Sequence, residues 1–404
     1  MQKRFAPDEG GAFPEWEEKT IEEACNVNVS NGTPGDKFIY IELGDVNKYG
    51  LLKRKNLVQK YEAPVSAKRV AKVDDVFFRS VRPGNKGHFH YTNEMSEQVV
   101  MSSAFFQLSM KDGDNGFLYQ ALNSDYFCKQ VLRKCAGTAY PTISLKEFIK
   151  LKIRIPKSIE EQRKIAAALA AYDEMIAVKT AKLETWQECK KRMVKEIFDR
   201  TKRFRDDDGN EFPEWEEKTL GEVTEYVRNG YSYKPDGLRT HKYKVTRIET
   251  ISTGKINPEK LGSCDECDEK YLLKSGDILY SNINSLSYLG NTAIYKNSTE
   301  KIYHGMNLLC IRPKSSVIDA DYLFAFLNSE AARKFVKYNA QRAVNQCSIK
   351  VSDVRNMKIP LPCMTEQQKI GSFLAEIDKE IEIQKEFVRT YAEGKRRMMM
   401  ELMA

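Results

Sequence analysis

Histidine is scarce in this 404-residue chain, four in all, and histidines and acids form no recognisable catalytic constellation. No Gly-x-Gly-x-x-Gly leads into a helix and no Gly-x4-Gly-Lys-Ser/Thr occurs, so the usual dinucleotide and triphosphate cradles are missing. An Asn/Asp-Pro-Pro-aromatic element, which amino-methyltransferases use to hold a target amine, is also absent; the only close proline pair is Pro360-Leu-Pro362. No apolar run reaches the roughly 18 residues that a membrane helix needs. The opening MQKRFAPDEGGAFPEW has no apolar signal core, so a cytoplasmic location is expected. Nine cysteines, odd in number and without framework spacing, read as mostly reduced thiols. Cys264 and Cys267 form one Cys-x-x-Cys, but no second ligand pair lies near, so an exposed polar loop is preferred to zinc. His88 and His90, two apart in HFH, would share a strand face, yet lone pairs of this kind are seldom ligands. Neither a metal nor a cofactor is therefore expected in this chain, and catalysis by the chain alone is disfavoured.

What the chain does have is charge and pattern. The formal net charge of +8 favours an acidic partner, and 41% hydrophobic content suits a globular protein of two or three domains. Residues 158–205 contain no Gly or Pro, and Ser158 with Glu161 makes a capping box at their start. Ile165, Leu169, Tyr172, Ile176, Leu183, Trp186, Met193 and Ile197 recur in steps of four and three, or of their sum, seven. That spacing predicts a single long helix with a coiled-coil seam facing a partner helix.

The partner lies in the same chain. Adding 205 to each seam position gives Ile370, Leu374, Ile377, Ile381, Val388, Tyr391, Met398 and Leu402 without a gap. Polar interruptions match too: Lys179 falls on Gln384, and Lys190 on Lys395. FPEWEEKT at 13–20 recurs at 212–219, and KRF at 3–5 recurs at 202–204. The offset moves from 199 to 205, which places about six residues of net insertion in the second copy. The chain is thus a duplicated unit of about 200 residues, each a variable domain followed by a long helix.

Each variable domain mixes short strand-like runs with turn residues and a helix-like run, GFLYQALNSDYFCKQVL or ADYLFAFLNSEAARKFV. Each closes with a short apolar strand ending at proline, LKIRIP or MKIPLP. The expected class is α+β: two repeated domains separated by a pair of long antiparallel coiled-coil helices, with a pseudo-two-fold internal repeat. Boundaries follow as an N-terminal segment 1–12, a first domain 13–157, a first helix 158–205, a second domain 206–362 and a second helix 363–404.

Pro156, Glu161, Gln162, Lys164 and Ile165 spell P-x-E-Q-x-K-I loosely, and Pro362, Glu366, Gln367, Lys369 and Ile370 repeat it. With two variable domains and two matching helices, the chain resembles the DNA-specificity subunit of type I restriction-modification systems over essentially its whole length. Gly32-Thr33-Pro34 and Gly276-Asp277-Ile278-Leu279 also resemble recurring segments of that family's target-recognition domains. The first domain departs from the second pattern at Val73-Asp74-Asp75-Val76, and the second lacks the Thr-Pro; two different half-sites would require such divergence. The resemblance implies that each domain reads one half of a split double-stranded DNA sequence, with the paired helices as spacer. It implies two methyltransferase subunits that bind S-adenosylmethionine and methylate adenine N6. It also implies motor and restriction subunits that use ATP and magnesium.

Candidate DNA contacts in the first domain are Arg79, Arg82, Asn85, Lys86 and His88, in the loop after a predicted strand. In the second they are Arg228, Asn229, Tyr231, Tyr233 and Lys234, then Asn282, Asn284 and Ser285. Lys53-Arg54-Lys55 reads as a solvated face or a non-specific phosphate contact; Lys190-Lys191-Arg192 and Lys395-Arg396-Arg397 could meet DNA or partner subunits but read first as solubilising charge; and Tyr172, Trp186 and Tyr391 read as seam packing. Rival readings are a coiled-coil scaffold without a DNA role and a recognition module serving a methylation-only or other defence complex.

Overall fold

The computed structural model describes residues 4–93, 95–232, 242–252, 254–296, 300–343 and 346–403. It forms two compact units, residues 1–183 with 384–404 and residues 184–383. Long helices span Ile159–Phe198 and Met364–Leu402, and each unit contains part of both.

In the first unit, Asp173 meets Lys395 at 2.6 and 2.7 Å, while Lys179 lies 4.6 Å from the Phe387 ring centroid. The first helix advances between these contacts as the second retreats, so the two run antiparallel. In the second unit, Lys190 meets Asp378 at the same two distances. Asp173 and Asp378 are equivalent under the 205-residue offset, as are Lys190 and Lys395. Lys190 and Lys395, two of the polar interruptions of the seam, are therefore members of ion pairs, made once in each unit, rather than solubilising charge. Ile165, Leu169, Ile176, Met193 and Ile197 of the first helix are buried, as are Ile370, Leu374, Ile377, Ile381, Val388 and Leu402 of the second. Tyr172, Leu183, Trp186, Tyr391 and Met398 are half-buried.

Tyr172 needs space opposite it. A Cβ on Gly394 would sit 2.9 Å from the tyrosine Cε1, so the glycine accommodates the ring despite its poor helix propensity. The repeat places Ile377 where Tyr172 stands and Cys189 where Gly394 stands. A similar exchange occurs at Gly371, whose Cβ would be 3.1 Å from the Asp321 Cβ; its counterparts are Ala166 and Gly116.

The P-x-E-Q-x-K-I motif fastens each helix to its domain. Glu161 is fully buried and accepts from Arg4 Nε and Nη2 at 2.9 and 2.8 Å and from Trp16 Nε1 at 3.3 Å. Glu366, also fully buried, accepts from Arg203 at 3.4 and 3.1 Å and from Trp215 Nε1 at 2.8 Å. Gln162 donates to Pro156 O at 2.8 Å and accepts from Asp114 N; Gln367 does the same with Pro362 O and Asp319 N. Lys164 reaches Asp8, and Lys369 reaches Asp207, each at 2.6 Å. The Glu161 N–H does meet Ser158 Oγ at 3.4 Å, but its carboxylate faces the guanidinium instead of closing the expected capping box.

This fastening also explains a correction. The first helix ends at Phe198, short of the expected 205. Arg200 takes a left-handed φ of 60°, and the Thr201 N–H folds back on Glu196 O at 3.0 Å. The turn frees Arg203 to reach Glu366, a contact that a continued helix would not direct.

Each domain hangs on the same frame. Glu17–Thr20 pairs antiparallel with Lys152–Ile155, and Glu216–Thr219 with Lys358–Leu361, each pair a two-stranded ribbon. The first domain has a four-stranded sheet in the order Cys25–Val27, Phe105–Met110, Val76–Arg79, Phe89–His90. The second repeats that order with Thr224–Asn229, Leu309–Pro313, Ile278–Tyr280, Thr292–Ile294. A further sheet has four strands in the first domain and three in the second. Each run expected as one helix is two: Asn115–Asn123 with Asp125–Lys134, and Ala320–Leu327 with Glu330–Asn339. Ser124 and Ser329 break them, because each hydroxyl caps the second helix by accepting a backbone N–H.

Two stability tests follow. Asp173→Lys should lower stability by about 2 kcal/mol, since it sets two cations together at a largely buried site. Adding Lys395→Asp should restore most of the loss in urea unfolding, whereas a register other than this one would leave the double variant no better than the single. Glu366→Gln should cost roughly 3 kcal/mol by removing the buried charge that Arg203 and the Trp215 indole share, and a loss below 0.5 kcal/mol would show that the fastening is incidental.

Candidate nucleic-acid interface

In the first domain, Val76–Arg79 runs into a loop braced by residues 136–142. Val81 bridges to Thr142, the Arg82 N–H donates to Pro141 O at 2.6 Å, and Ala136 and Thr142 exchange two backbone bonds of 2.9 Å. Arg82 and Lys86 both take positive φ, 48° and 55°, on either side of the 3₁₀ turn Pro83–Asn85, Arg82 in the left-handed helical region. Non-glycine residues adopt this conformation at a cost, so the surrounding bonds hold it.

The candidates separate by what their side chains touch. The Arg82 guanidinium stacks 3.9 Å from the Tyr140 ring centroid and donates to Ala139 O at 3.1 Å. Tyr140 itself is 66% exposed. Asn85 is exposed at the turn, and Lys86 Nζ donates to Asn123 O at 3.3 Å. Lys86 stands at a cleft of about 1100 Å³ that is also lined by Tyr119, Lys129 and Arg396. Arg79 turns inward instead, donating to Val81 O at 2.9 Å and Leu43 O at 3.4 Å.

His88 belongs to the core, which corrects its placement on the DNA surface. It is 1% exposed, accepts from the Arg79 N–H at 3.1 Å, and stacks on Phe78 at 4.1 Å. Burial, with Lys86 and Arg79 adding to it, pushes its pKa down to about 3. His90 turns elsewhere, its Nε2 lying 2.7 Å from Asp74 Oδ1.

The second domain brings its candidates together in two groups. Arg228 lies over the Tyr226 ring at 4.0 Å and donates to Lys270 O at 2.5 Å, next to exposed Asn229. Tyr231 packs its ring 5.6 Å from that of Tyr271. Tyr233 and Lys234 lie outside the described residues. The other group follows Ile278–Tyr280: Asn282 is 6% exposed, and its carbonyl accepts from Ile349 N at 3.0 Å. Ile283–Asn284 pairs with Cys347–Ser348, which pairs in turn with Gln341–Arg342. Asn284 accepts from Ser285 N at 2.8 Å, and Ser285 is exposed.

Both domains thus brace the loop after the same sheet strand with pairs from the stretch after the two shorter helices, 136–142 in the first and Gln341–Arg342 with Cys347–Ser348 in the second. Sequence reasoning missed Tyr140, Gln341 and Arg342, all exposed. The signal was available: GTAYPT at 137–142 falls on RAVNQC at 342–347 under the 205-residue offset, the two unlike each other inside matching frames.

Cys264 donates to Glu266 O at 3.1 Å, and burial pushes the Cys267 thiol up to about 12. Among the described residues, no group of three or more His, Cys, Asp or Glu is placed to hold a metal ion.

Two copies of one α+β domain, alike in frame and unlike in their braced loops, define a duplicated recognition module. Residues 14–185 and 213–387 match the type I restriction modification DNA specificity domain, so the chain belongs to that family. It is 38% identical over 210 residues to a candidate type I restriction enzyme MjaX specificity subunit of Methanocaldococcus jannaschii. That match covers 51% of this chain and about half, 49%, of the relative. Similarity to the MjaVIII specificity subunit of the same organism is 28% over 320 residues, 76% of this chain and 73% of the other. In fold, the chain is similar to the type I restriction-modification S subunit from M. genitalium, with TM-score 0.59, 15% identity and 96% of each chain covered. It is also similar to a chain from a study of assembly and conformational transition of the type I R-M system, with TM-score 0.50 and 20% identity. That alignment covers 97% of this chain and 98% of the other.

The buried histidines make acid stability testable. Burial also pushes His304 down to about 4, despite its 2.9 Å contact with Leu308 O. Below about pH 6.5 the unfolded histidines take up protons that the folded ones refuse, so stability is full above that pH and falls towards pH 4. Each histidine contributes a slope of at most about 1.4 kcal/mol per pH unit. His88→Asn, which keeps an acceptor for the Arg79 N–H, should flatten this limb in urea titrations of the first unit between pH 6.5 and 4.

Proposed function

We propose that the chain is the specificity subunit of a type I restriction-modification complex, reading a bipartite double-stranded DNA target with one half assigned to each domain. The observation that carries this reading is the loop framework: the same sheet strand and bracing segment present different polar residues in the two copies. A duplicated frame with unlike edges is what two different half-sites demand. The net charge of +8 suits a phosphate backbone as partner. Arg82, Asn85 and Tyr140 are assigned to the first half-site; Asn284, Ser285, Gln341 and Arg342 are assigned to the second. Arg228, Asn229 and Tyr231 stand as a separate candidate group in the second domain.

The chain itself is proposed to be non-catalytic. Two methyltransferase subunits would supply S-adenosylmethionine and adenine-N6 methylation, and motor and restriction subunits would supply ATP- and magnesium-dependent cleavage. Among the described residues no helix is long and apolar enough to cross a membrane. A cytoplasmic setting, with the DNA, fits this role.

Exchange of residues 13–155 for the corresponding domain of a relative should change one half of the methylated motif and leave the other intact. Methylation mapping in cells carrying the hybrid provides the measurement. A change in both halves, or in neither, would remove the assignment of one domain to one half-site.

A further inference from the structure

We propose that Arg82, positioned by Tyr140, reads a guanine in the major groove of the first half-site; this rests on the DNA-reading function above. Three observations converge on the residue. Its backbone is held in the left-handed region at φ 48°, with its N–H on Pro141 O at 2.6 Å and its carbonyl accepting from Asn85 N at 3.0 Å. Its guanidinium stacks on a tyrosine that is 66% exposed, at 3.9 Å from the ring centroid. Its described hydrogen bond, Nη2 to Ala139 O, uses one of five N–H donors.

Those features are costly for a merely structural arginine. Arg79, three residues earlier, shows the structural alternative: its guanidinium is directed onto the Val81 and Leu43 carbonyls within the domain. Arg82 is instead fixed in orientation at the surface. Stacking holds the guanidinium plane, and the Ala139 bond limits its rotation. A planar fork held in this way matches the O6 and N7 acceptors of guanine, and rigid presentation reduces the entropy lost on binding. Tyr140 is a positioning residue here, acting through the arginine. Asn85 is exposed on the 3₁₀ turn that follows Arg82.

The test uses the full chain in its native complex in the source cell, with methylated motifs mapped for wild type and variants. Wild type should show a split motif with at least one guanine or its complementary cytosine in the half assigned to the first domain. Arg82→Gln should relax discrimination at that one base pair by about tenfold or more, leaving the second half unchanged. Arg82→Lys keeps the charge but loses the fork, and should relax the same position. Tyr140→Ala should produce a weaker relaxation there, and Tyr140→Phe should restore wild-type selectivity.

Uniform weakening across all positions by Arg82→Gln, with Arg82→Lys normal, would make Arg82 a phosphate contact and overturn the proposal. An unchanged motif in Arg82→Gln, or relaxation at an A·T pair, would overturn it too. Absence of any split methylated motif in wild type would instead defeat the specificity-subunit reading. Thermal unfolding of each variant separates these outcomes from misfolding; should Arg82→Gln fail to fold, Arg82→Lys and the two Tyr140 variants still decide the matter.

Discussion

A carboxylate taken completely out of water is tolerable only with strong donors around it, and this fold places one at the root of each domain. Glu161 and Glu366 each receive a guanidinium and an indole N–H. The donors come from distant parts of the sequence. Arg4 and Trp16 lie far upstream of Glu161, and Arg203 and Trp215 far upstream of Glu366. One buried charge in each unit therefore gathers the leading segment, the first strand of the ribbon and the base of a long helix. The sheets and loops are built outward from that point.

This accounts for why the most repeated letters of the chain are structural. KRF supplies the arginine, FPEW supplies the tryptophan and P-x-E-Q-x-K-I supplies the acceptor, the bracing amide and the lysine that ties down Asp8 or Asp207. The proposed reading of the two half-sites falls where the two copies disagree. The loops that differ are braced by backbone pairing, which lets their side chains vary without loss of the frame.

Much of the architecture was legible because the duplication supplies a second witness for every periodic signal. The seam, the ribbon strands and the repeat itself follow from matching positions. Local detail was less legible. The end of the first helix was set too late because nothing in DRTKRFR breaks a helix by propensity; the buried Glu366 decides where it stops. His88 was placed at the surface because it stands in a polar loop, but stacking against Phe78 draws it into the core. Lys190 and Lys395 looked solubilising because their aspartate partners lie on the other helix, far away in sequence. The bracing segments were overlooked since neither is periodic, and their importance comes from pairing with a loop more than fifty residues earlier.

The Tyr172–Gly394 contact has a consequence for the evolution of the duplicated chain. The first copy of the helix carries Tyr172 and Cys189, while the second carries Ile377 and Gly394 at those places. Pairing unlike copies sets the ring over the glycine. Two first copies would instead set each tyrosine against a cysteine Cβ, where a Cβ already falls 2.9 Å from the ring. Two second copies would leave isoleucine over glycine, with a gap where the ring had been. Crowding in one case and a void in the other both disfavour like-with-like association. At this point of the seam the halves are complementary rather than identical, so a preference for pairing unlike copies is written into it.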